Sequence, residues 1–282
     1  MRTAWESRFE EVALRKTRAA LAAELPPLQT VDVGAVDGLD AVGNDWTRQR
    51  FDGDFYLSRV SRDIPTTGLV FVQSSDGNTG ARNPASLGGG QTDKHLIYEG
   101  LSRVASDGVL AGAETIRGSS VILTVWHPRF VELRAAMALP RHPIQIVATL
   151  GRLKFDDTLL LNIPELPVIV ISTAVWVVMM KEELARRPWI RTIAMGQPDD
   201  LPAAFRLLRS MGVARLSAIG GRTVARAMIN AGLIQDLYLT TSPHPGGEPD
   251  TPLSLTPIDG RMVVKKRGTG IEQGVLFEHL VI

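Results

Sequence analysis

Three short polar segments, each placed directly after an apolar run, carry the residue types from which a ligand site can be built. They are the turn Gly112-Ala113-Glu114-Thr115 after GVLAG, the pair Ser172-Thr173 after VIVIS, and the turn Gly220-Gly221-Arg222-Thr223 after RLSAI. Parallel α/β sheets bind ligands outside the carboxyl ends of their strands. We therefore expect the three segments to share one crevice.

The glycine pair at 220–221 has a specific physical use. Glycine permits positive φ and lets backbone N–H groups approach an anion at the start of the following helix. Thr223 adds a hydroxyl donor. A tight strand-to-helix turn without a ligand has the same pattern, so both interpretations stay open. No GxGxxG follows a strand and no GxxxxGK[ST] is present, which argues against an ordinary Rossmann or P-loop site.

Composition excludes several other kinds of site. The 282 residues contain no cysteine, which removes thiolate metal sites, iron–sulfur clusters and a cysteine nucleophile. The five histidines are not at metal-ligand spacing, so no metal is expected, and no GxSxG surrounds a serine. A net charge of +1 does not favour nucleic acid or an anionic membrane as partner.

Alternating strands and helices must position these segments, and they predict an α/β fold with a mainly parallel sheet and helices on both faces. Consecutive strands at the C-terminus predict an added antiparallel edge. We predict strands at 68–74, 108–112, 144–149, 168–172, 191–195, 215–219, 236–241, 261–266 and 274–281. We predict helices at 6–25, 92–106, 175–187, 201–211 and 223–231. We divide the chain into a helix with an arm or linker (1–65) and a core domain (66–282).

The order of several motifs resembles the pyrimidine reductase domain of riboflavin biosynthesis. The motifs are Ser74-Ser75-Asp76-Gly77, Leu101-Ser102-Arg103-Val104-Ala105-Ser106-Asp107, Gly112-Ala113-Glu114-Thr115-Ile116, Ile219-Gly220-Gly221-Arg222-Thr223 and Ala231-Gly232-Leu233-Ile234-Gln235-Asp236. The resemblance covers about Gly68 to the C-terminus. It implies the dihydrofolate-reductase-like fold and reduction with NADPH.

The resemblance also implies roles for single residues in binding the cofactor. Gly112 and Thr115 match a turn along the nicotinamide and pyrophosphate, and Ser172 matches a polar position facing the adenosine half. The turn that holds the diphosphate is matched by a group of four residues: Gly220, Gly221, Arg222 and Thr223. Thr149 is placed in the same site, and Arg152 matches a position able to bind the 2′-phosphate bidentately.

On the substrate side, Ser74 and Arg103 match positions that face the pyrimidine and its phosphate. The riboflavin enzymes carry an Asp-Asp-Pro-type segment after the glycine–threonine turn, whereas residues 117–121 read RGSSV, without a carboxylate. Glu114 and Asp76 are the nearest candidates for the proton donor that reduction of a C=N bond needs. An exposed turn residue is the alternative for Glu114, and a turn residue bonded to its own backbone is the alternative for Asp76.

We expect an NADPH-dependent reductase of a pyrimidine- or pterin-like heterocycle. Two alternatives stay open: a reductase of the same fold with another substrate, such as dihydrofolate, and a nucleotide-binding regulatory protein without catalysis. The N-terminus lacks a signal-peptide core, which predicts a cytoplasmic protein. Apolar C-terminal strands with an open edge predict a homodimer, with the arm packed either across the partner or back on its own sheet.

Overall fold

A ten-stranded sheet organises the chain in the computed structural model, which describes residues 3–81, 83–117, 120–151 and 153–282. Its strands are β1 (Gln29–Val33), β4 (Thr66–Gln73), β5 (Gly108–Gly112), β6 (Ile144–Ala148), β7 (Val168–Thr173), β8 (Ile190–Met195), β9 (Arg215–Ala218), β10 (Asp236–Thr241), β11 (Arg261–Arg267) and β12 (Leu276–Val281). A separate two-stranded antiparallel sheet pairs β2 (Leu39–Val42) with β3 (Phe55–Ser58).

Helices connect the strands and flank the sheet. They are α1 (Ala4–Ala22), α2 (Asp45–Phe51), a π-helix (Thr92–Leu101) that continues into α3 (Ser102–Val104), α4 (Pro128–Ala136), α5 (Ala174–Met179), α6 (Lys181–Ala185), α7 (Leu201–Ser210) and α8 (Arg222–Asn230). None of the helices in the described part of the chain is both long enough and apolar enough to cross a membrane.

The strands lie in the order β1-β11-β12-β10-β4-β9-β5-β6-β7-β8. From β10 to β8 every neighbouring pair is parallel, whereas β12 runs antiparallel to β10, β11 to β12 and β1 to β11. The predicted parallel sheet with an antiparallel C-terminal edge is confirmed. All carboxyl ends of the parallel strands therefore lie along one edge of the sheet, which we call the carboxyl edge.

Burial on both faces explains why the central strands are continuous apolar runs. All five residues of β5 are buried, and so are the first five of β7. One core lies between the sheet and the helices α7 and α8, and the other packs α1, the π-helix, α4 and α5 on the opposite face. Strands covered on both faces lose the alternation of polar and apolar residues.

The N-terminal 65 residues pack on the same sheet. Val12 and Ala20 of α1 are buried, and the ammonium of Lys16 lies 3.0 Å from the carboxylate of Glu99 in the π-helix. Residues 26–65, interpreted from sequence as an arm or linker, form β1, β2, α2 and β3 instead. These elements have four to seven residues and depend on distant partners, so they carry no long local periodicity.

The open C-terminal edge expected from the sequence is covered by β1, which pairs with β11. Lys266 of β11 supports this pairing: its ammonium donates to the Thr30 hydroxyl (2.8 Å) and to the Asp52 carbonyl (2.9 Å). It also lies 4.5 Å from the centre of the Phe51 ring. Of the two arrangements expected for the arm, the structure shows packing on the chain's own sheet.

Candidate functional site

The turns after β5 and β9 meet at the carboxyl edge, backbone against backbone. Gly220 and Gly221 both have positive φ, at 139° and 83°. A Cβ added to Gly221 would lie 3.5 Å from Cα of Gly112, and one added to Gly220 would lie 3.5 Å from the Thr115 hydroxyl oxygen. The backbone conformation favours glycine at both positions, whereas a Cβ at either one would only be in ordinary van der Waals contact with the facing turn. The structure brings together two of the three predicted segments here.

Helix α8 begins at this contact, and no side chain caps its N-terminal end. Gly221 is its N-cap residue and provides no side-chain cap, while its carbonyl accepts from the Ala225 amide (2.9 Å). The amides of the first turn lack intrahelical partners, and the helix dipole makes this end positive. Thr223 is exposed at the same turn, and Arg222 forms an ion pair of 2.9 Å with Glu248. Amides, a hydroxyl and a guanidinium at one helix end suit a diphosphate.

The hydroxyls of the predicted polar residues at the ends of β6 and β7 both bond backbone groups of the turn after β6. The fully buried Ser172 hydroxyl donates to the Thr149 carbonyl (2.7 Å). The Thr149 hydroxyl bonds the amide and the carbonyl of Gly151, whose carbonyl also accepts from the Trp176 indole (2.7 Å). Ser172 and Thr149 therefore hold the turn after β6, and neither hydroxyl faces an open groove. Arg152 lies outside the described residues.

Ser74 and Asp76 form a turn after β4 that is closed on itself. The buried Ser74 hydroxyl bonds the Asp76 carboxylate and lies 2.9 Å from the Gly246 carbonyl. The hydrogen bond from Ser74 lowers the pKa of the exposed Asp76. Its carboxyl is therefore ionised at neutral pH, and the proton-donor role predicted for Asp76 does not fit this geometry. The Ser74 hydroxyl is likewise not free to meet a substrate.

The other predicted proton donor, Glu114, is exposed to solvent and forms an ion pair with Arg117. Nothing buries its carboxylate, so the structure favours the exposed-turn alternative for Glu114. Its position next to Gly112 is at the predicted edge, but its side chain takes no part in the contact between the two glycine turns.

Arg103, predicted to face the substrate, lies at the opposite edge of the sheet. It belongs to α3, which ends just before the amino end of β5, and it is 2% exposed. One guanidinium nitrogen donates to the Thr124 carbonyl (3.1 Å), and the group stacks 4.4 Å from the centre of the Tyr98 ring. Helix and strand run in opposite directions, so the end of the helix lies away from the carboxyl edge. This placement does not support the substrate role of Arg103, which stays a prediction.

Two carboxyl groups that the sequence analysis did not assign to the site lie at the carboxyl edge. Asp93 is in the first turn of the π-helix, and burial raises its pKa to about 6. Glu272, from the β11–β12 connection, accepts hydrogen bonds from the amides of Gln91 and Thr92. Asp93 is visible in the sequence only as a possible helix cap, and Glu272 lies 179 residues away from it.

Within the described residues no three His, Asp or Glu side chains form a metal-binding group.

The sequence matches a known family over most of its length. Residues 65–273 match the model of the RibD C-terminal domain. The chain belongs to this family. The matched range begins at the end of the segment predicted to lie outside the core domain. Comparison with curated proteins gives no match.

Solved structures agree in fold at low sequence identity. A pyrimidine reductase-like protein from Corynebacterium diphtheriae is 19% identical, with a TM-score of 0.58 over 77% of this chain and 91% of its own. RibD from Acinetobacter baumannii is 16% identical, with a TM-score of 0.59 over 78% and 58%. The riboflavin biosynthesis reductase Rib7 from Saccharomyces cerevisiae is 18% identical, with a TM-score of 0.50 over 79% and 93%. The resemblance to the pyrimidine reductase domain and its fold is confirmed.

Proposed function

We propose that the protein is an NADPH-dependent reductase of a pyrimidine- or pterin-like heterocycle. The observation that carries this proposal is the contact between the glycine turns 112–115 and 220–223 at the uncapped start of α8, in a chain of the RibD C-terminal domain family. Family membership supports an oxidoreductase, and the contact offers a place for the cofactor's diphosphate.

The residues present fit a dinucleotide. Gly220 and Gly221 carry no side chain that would cover the backbone amides at the start of α8, and both have the positive φ that favours glycine. Arg222 and Thr223 add a cation and a hydroxyl at the same helix end. Lys154 and the neighbouring position 152 follow β6, where a cation would favour the 2′-phosphate. When bound, a reduced nicotinamide supplies a hydride, and the protein must orient it and exclude water.

The first substrate candidate is 5-amino-6-(5-phosphoribosylamino)uracil. Two of the similar structures are described as a pyrimidine reductase-like protein and as a riboflavin biosynthesis reductase, which supports this choice. Residues 117–121 lack the carboxylates of the riboflavin enzymes, and this departure favours the alternative of a different heterocycle on the same fold. Cytoplasmic location and a homodimer stay predictions.

Calorimetry with NADPH and NADH tests the choice of cofactor. We expect NADPH to bind more tightly by roughly tenfold or more, because charge-assisted hydrogen bonds to a 2′-phosphate contribute about 1.5–3 kcal/mol. Equal affinities would contradict the preference for NADPH, and the absence of binding by either nucleotide would contradict the proposed function.

A further inference from the structure

Two carboxyl side chains from distant parts of the chain converge at the start of the π-helix. Asp93 lies in the first helical turn, and Glu272 reaches it from the β11–β12 connection. The run Gly88-Gly89-Gly90 makes room for both. A Cβ on Gly89 would lie 3.0 Å from Asp93 Oδ2, and one on Gly90 would overlap the Glu272 carboxylate. The glycine run is therefore fitted around these two groups.

The two carboxylate oxygens of Glu272 have different surroundings. Oε1 accepts from the backbone N–H groups of Gln91 and Thr92, the latter at 3.0 Å, and so caps the π-helix. Oε2 is fully buried without a hydrogen-bond partner, and so is the hydroxyl oxygen of Thr92. A buried carboxylate oxygen that lacks a partner is costly. A helix cap needs only Oε1, so the cap alone does not account for the charged group.

Asp93 has the surroundings of a carboxyl that holds its proton to a higher pH than an ordinary aspartate. Burial is the main cause that raises its pKa to about 6; a hydrogen bond with the Thr240 side chain of β10 opposes this rise, and the negative charge of Glu272 contributes to it. No lysine or arginine of the described residues forms an ion pair with Asp93. Part of its side chain stays accessible. It lies beside Val72 and Thr240, near the carboxyl ends of β4 and β10, and so at the same edge of the sheet as the glycine turns.

We propose that Asp93 is the proton donor of the reduction and that Glu272 is a positioning residue that, together with burial, helps its carboxyl to hold a proton. This inference rests on the proposed reductase function. As hydride reaches the carbon of a C=N bond, the electron pair of that bond moves to nitrogen. The nitrogen takes the proton from an Asp93 oxygen, and the resulting carboxylate regains a proton from water. The chain thus supplies the proton that Asp76 and Glu114 are poorly placed to give.

Titration of Asp93 by NMR, with carbon-13 in the aspartate carboxyl groups, tests the pair without any substrate. We expect a midpoint of about 6 in the wild-type protein, and a lower one in Glu272→Gln, which keeps the oxygen that caps the helix. Glu278→Gln is the matched control, because Glu278 pairs with Lys265 (2.9 Å) on the neighbouring strands and its loss should leave the midpoint unchanged. An ordinary aspartate midpoint in the wild type would overturn the proposal. An unchanged midpoint in Glu272→Gln would overturn the role of Glu272.

Kinetics with 5-amino-6-(5-phosphoribosylamino)uracil and NADPH test the catalytic role. The acid form of Asp93 is required, so kcat/KM of the wild type should fall as pH rises above about 6. In Glu272→Gln this fall should move to lower pH, in parallel with the NMR midpoint. Asp93→Asn should bind NADPH normally in calorimetry and lose about 100-fold or more in rate, and Asp93→Glu should recover part of it.

The outcomes separate this inference from the function on which it rests. Turnover by the wild type with Asp93→Asn equally active would overturn the proton-donor role and leave the reductase standing. Wild-type protein that neither binds NADPH nor turns over would overturn the reductase function, and the proposal with it. If Asp93→Asn does not fold, the wild-type pH profile and the NMR titration still decide between the outcomes.

Discussion

Gly221 is the residue on which the proposed cofactor site depends most directly. Its positive φ disfavours any side chain, an added Cβ would touch Gly112, and the residue precedes the uncapped amides of α8. A glycine at the end of a helix also takes positive φ, as Gly212 does after α7, but there no atom lies within 4 Å of an added Cβ. A substitution at Gly212 therefore introduces backbone strain alone, whereas one at Gly221 also places a side chain at the proposed binding surface.

We predict that Gly221→Val weakens NADPH binding by at least about tenfold, since the new Cβ blocks the approach of a diphosphate to the backbone. The control is Gly212→Val, which carries comparable strain at a distance from the site and should lower the melting temperature without changing affinity. Calorimetry on the folded variants measures both. Normal binding by a folded Gly221→Val protein would show that the glycine pair is only a turn.

At the residue scale, the contact between the two glycine turns was more predictable from the sequence than the surroundings of the candidate side chains. The glycine turns are local patterns whose meaning follows from strand ends, so they could be predicted. The role of Asp76 could not, because its lowered pKa depends on the hydroxyl of Ser74 and on closure of the turn by Gly246. The pair of Asp93 and Glu272 could not be predicted from the sequence, because the two residues are 179 positions apart and only the folding of the chain brings them together.

Among the elements, helix α1 contributes buried residues to one of the two cores, although the sequence analysis placed it outside the core domain. Its residues Val12 and Ala20 are buried, Phe9 packs edge-to-face on His142, and Lys16 bridges to Glu99. Glu99 is buried, which raises its pKa, but hydrogen bonding from His95 and the charge of Lys16 dominate and lower it to about 2. This helix therefore covers the same π-helix that presents Asp93.

We predict that deleting residues 1–25 lowers the melting temperature by several degrees, because burial of the apolar face of α1 stabilises the fold by roughly 3 kcal/mol or more. A melting curve followed by circular dichroism measures this. Leu14→Ser, on the exposed face of the same helix, is the control and should change little. An unchanged melting temperature after the deletion would show that α1 covers nothing.

The predictability of the elements follows their length and periodicity. Strands buried on both faces, such as β5 and β10, were predicted with their observed bounds. Helix α4 was missed although His127 caps it and Pro128 occupies its first turn, a recognisable start signal. The segment from 26 to 65 has no regular periodicity in the sequence, and its strand β1 depends on pairing with β11, more than 200 residues away.

On the scale of the whole molecule, the sheet separates two kinds of region. The carboxyl edge collects the glycine turns, the first turn of the π-helix and Glu272. The amino edge holds Arg103 and Asp107, whose side chains bond backbone groups of neighbouring segments. We therefore place the proposed ligand site at the carboxyl edge. The N-terminal segment adds the terminal strand of the sheet, because β1 pairs with β11.

Consumption of NADPH in the presence of 5-amino-6-(5-phosphoribosylamino)uracil tests the central claim most directly. The full chain should oxidise NADPH at a rate proportional to enzyme concentration, with one equivalent of reduced pyrimidine formed per NADPH. The Gly221→Val variant should not do so at the same NADPH concentration. Tight NADPH binding without any turnover, on this pyrimidine or on a panel of pterins, would contradict a reductase and favour a nucleotide-binding regulatory protein.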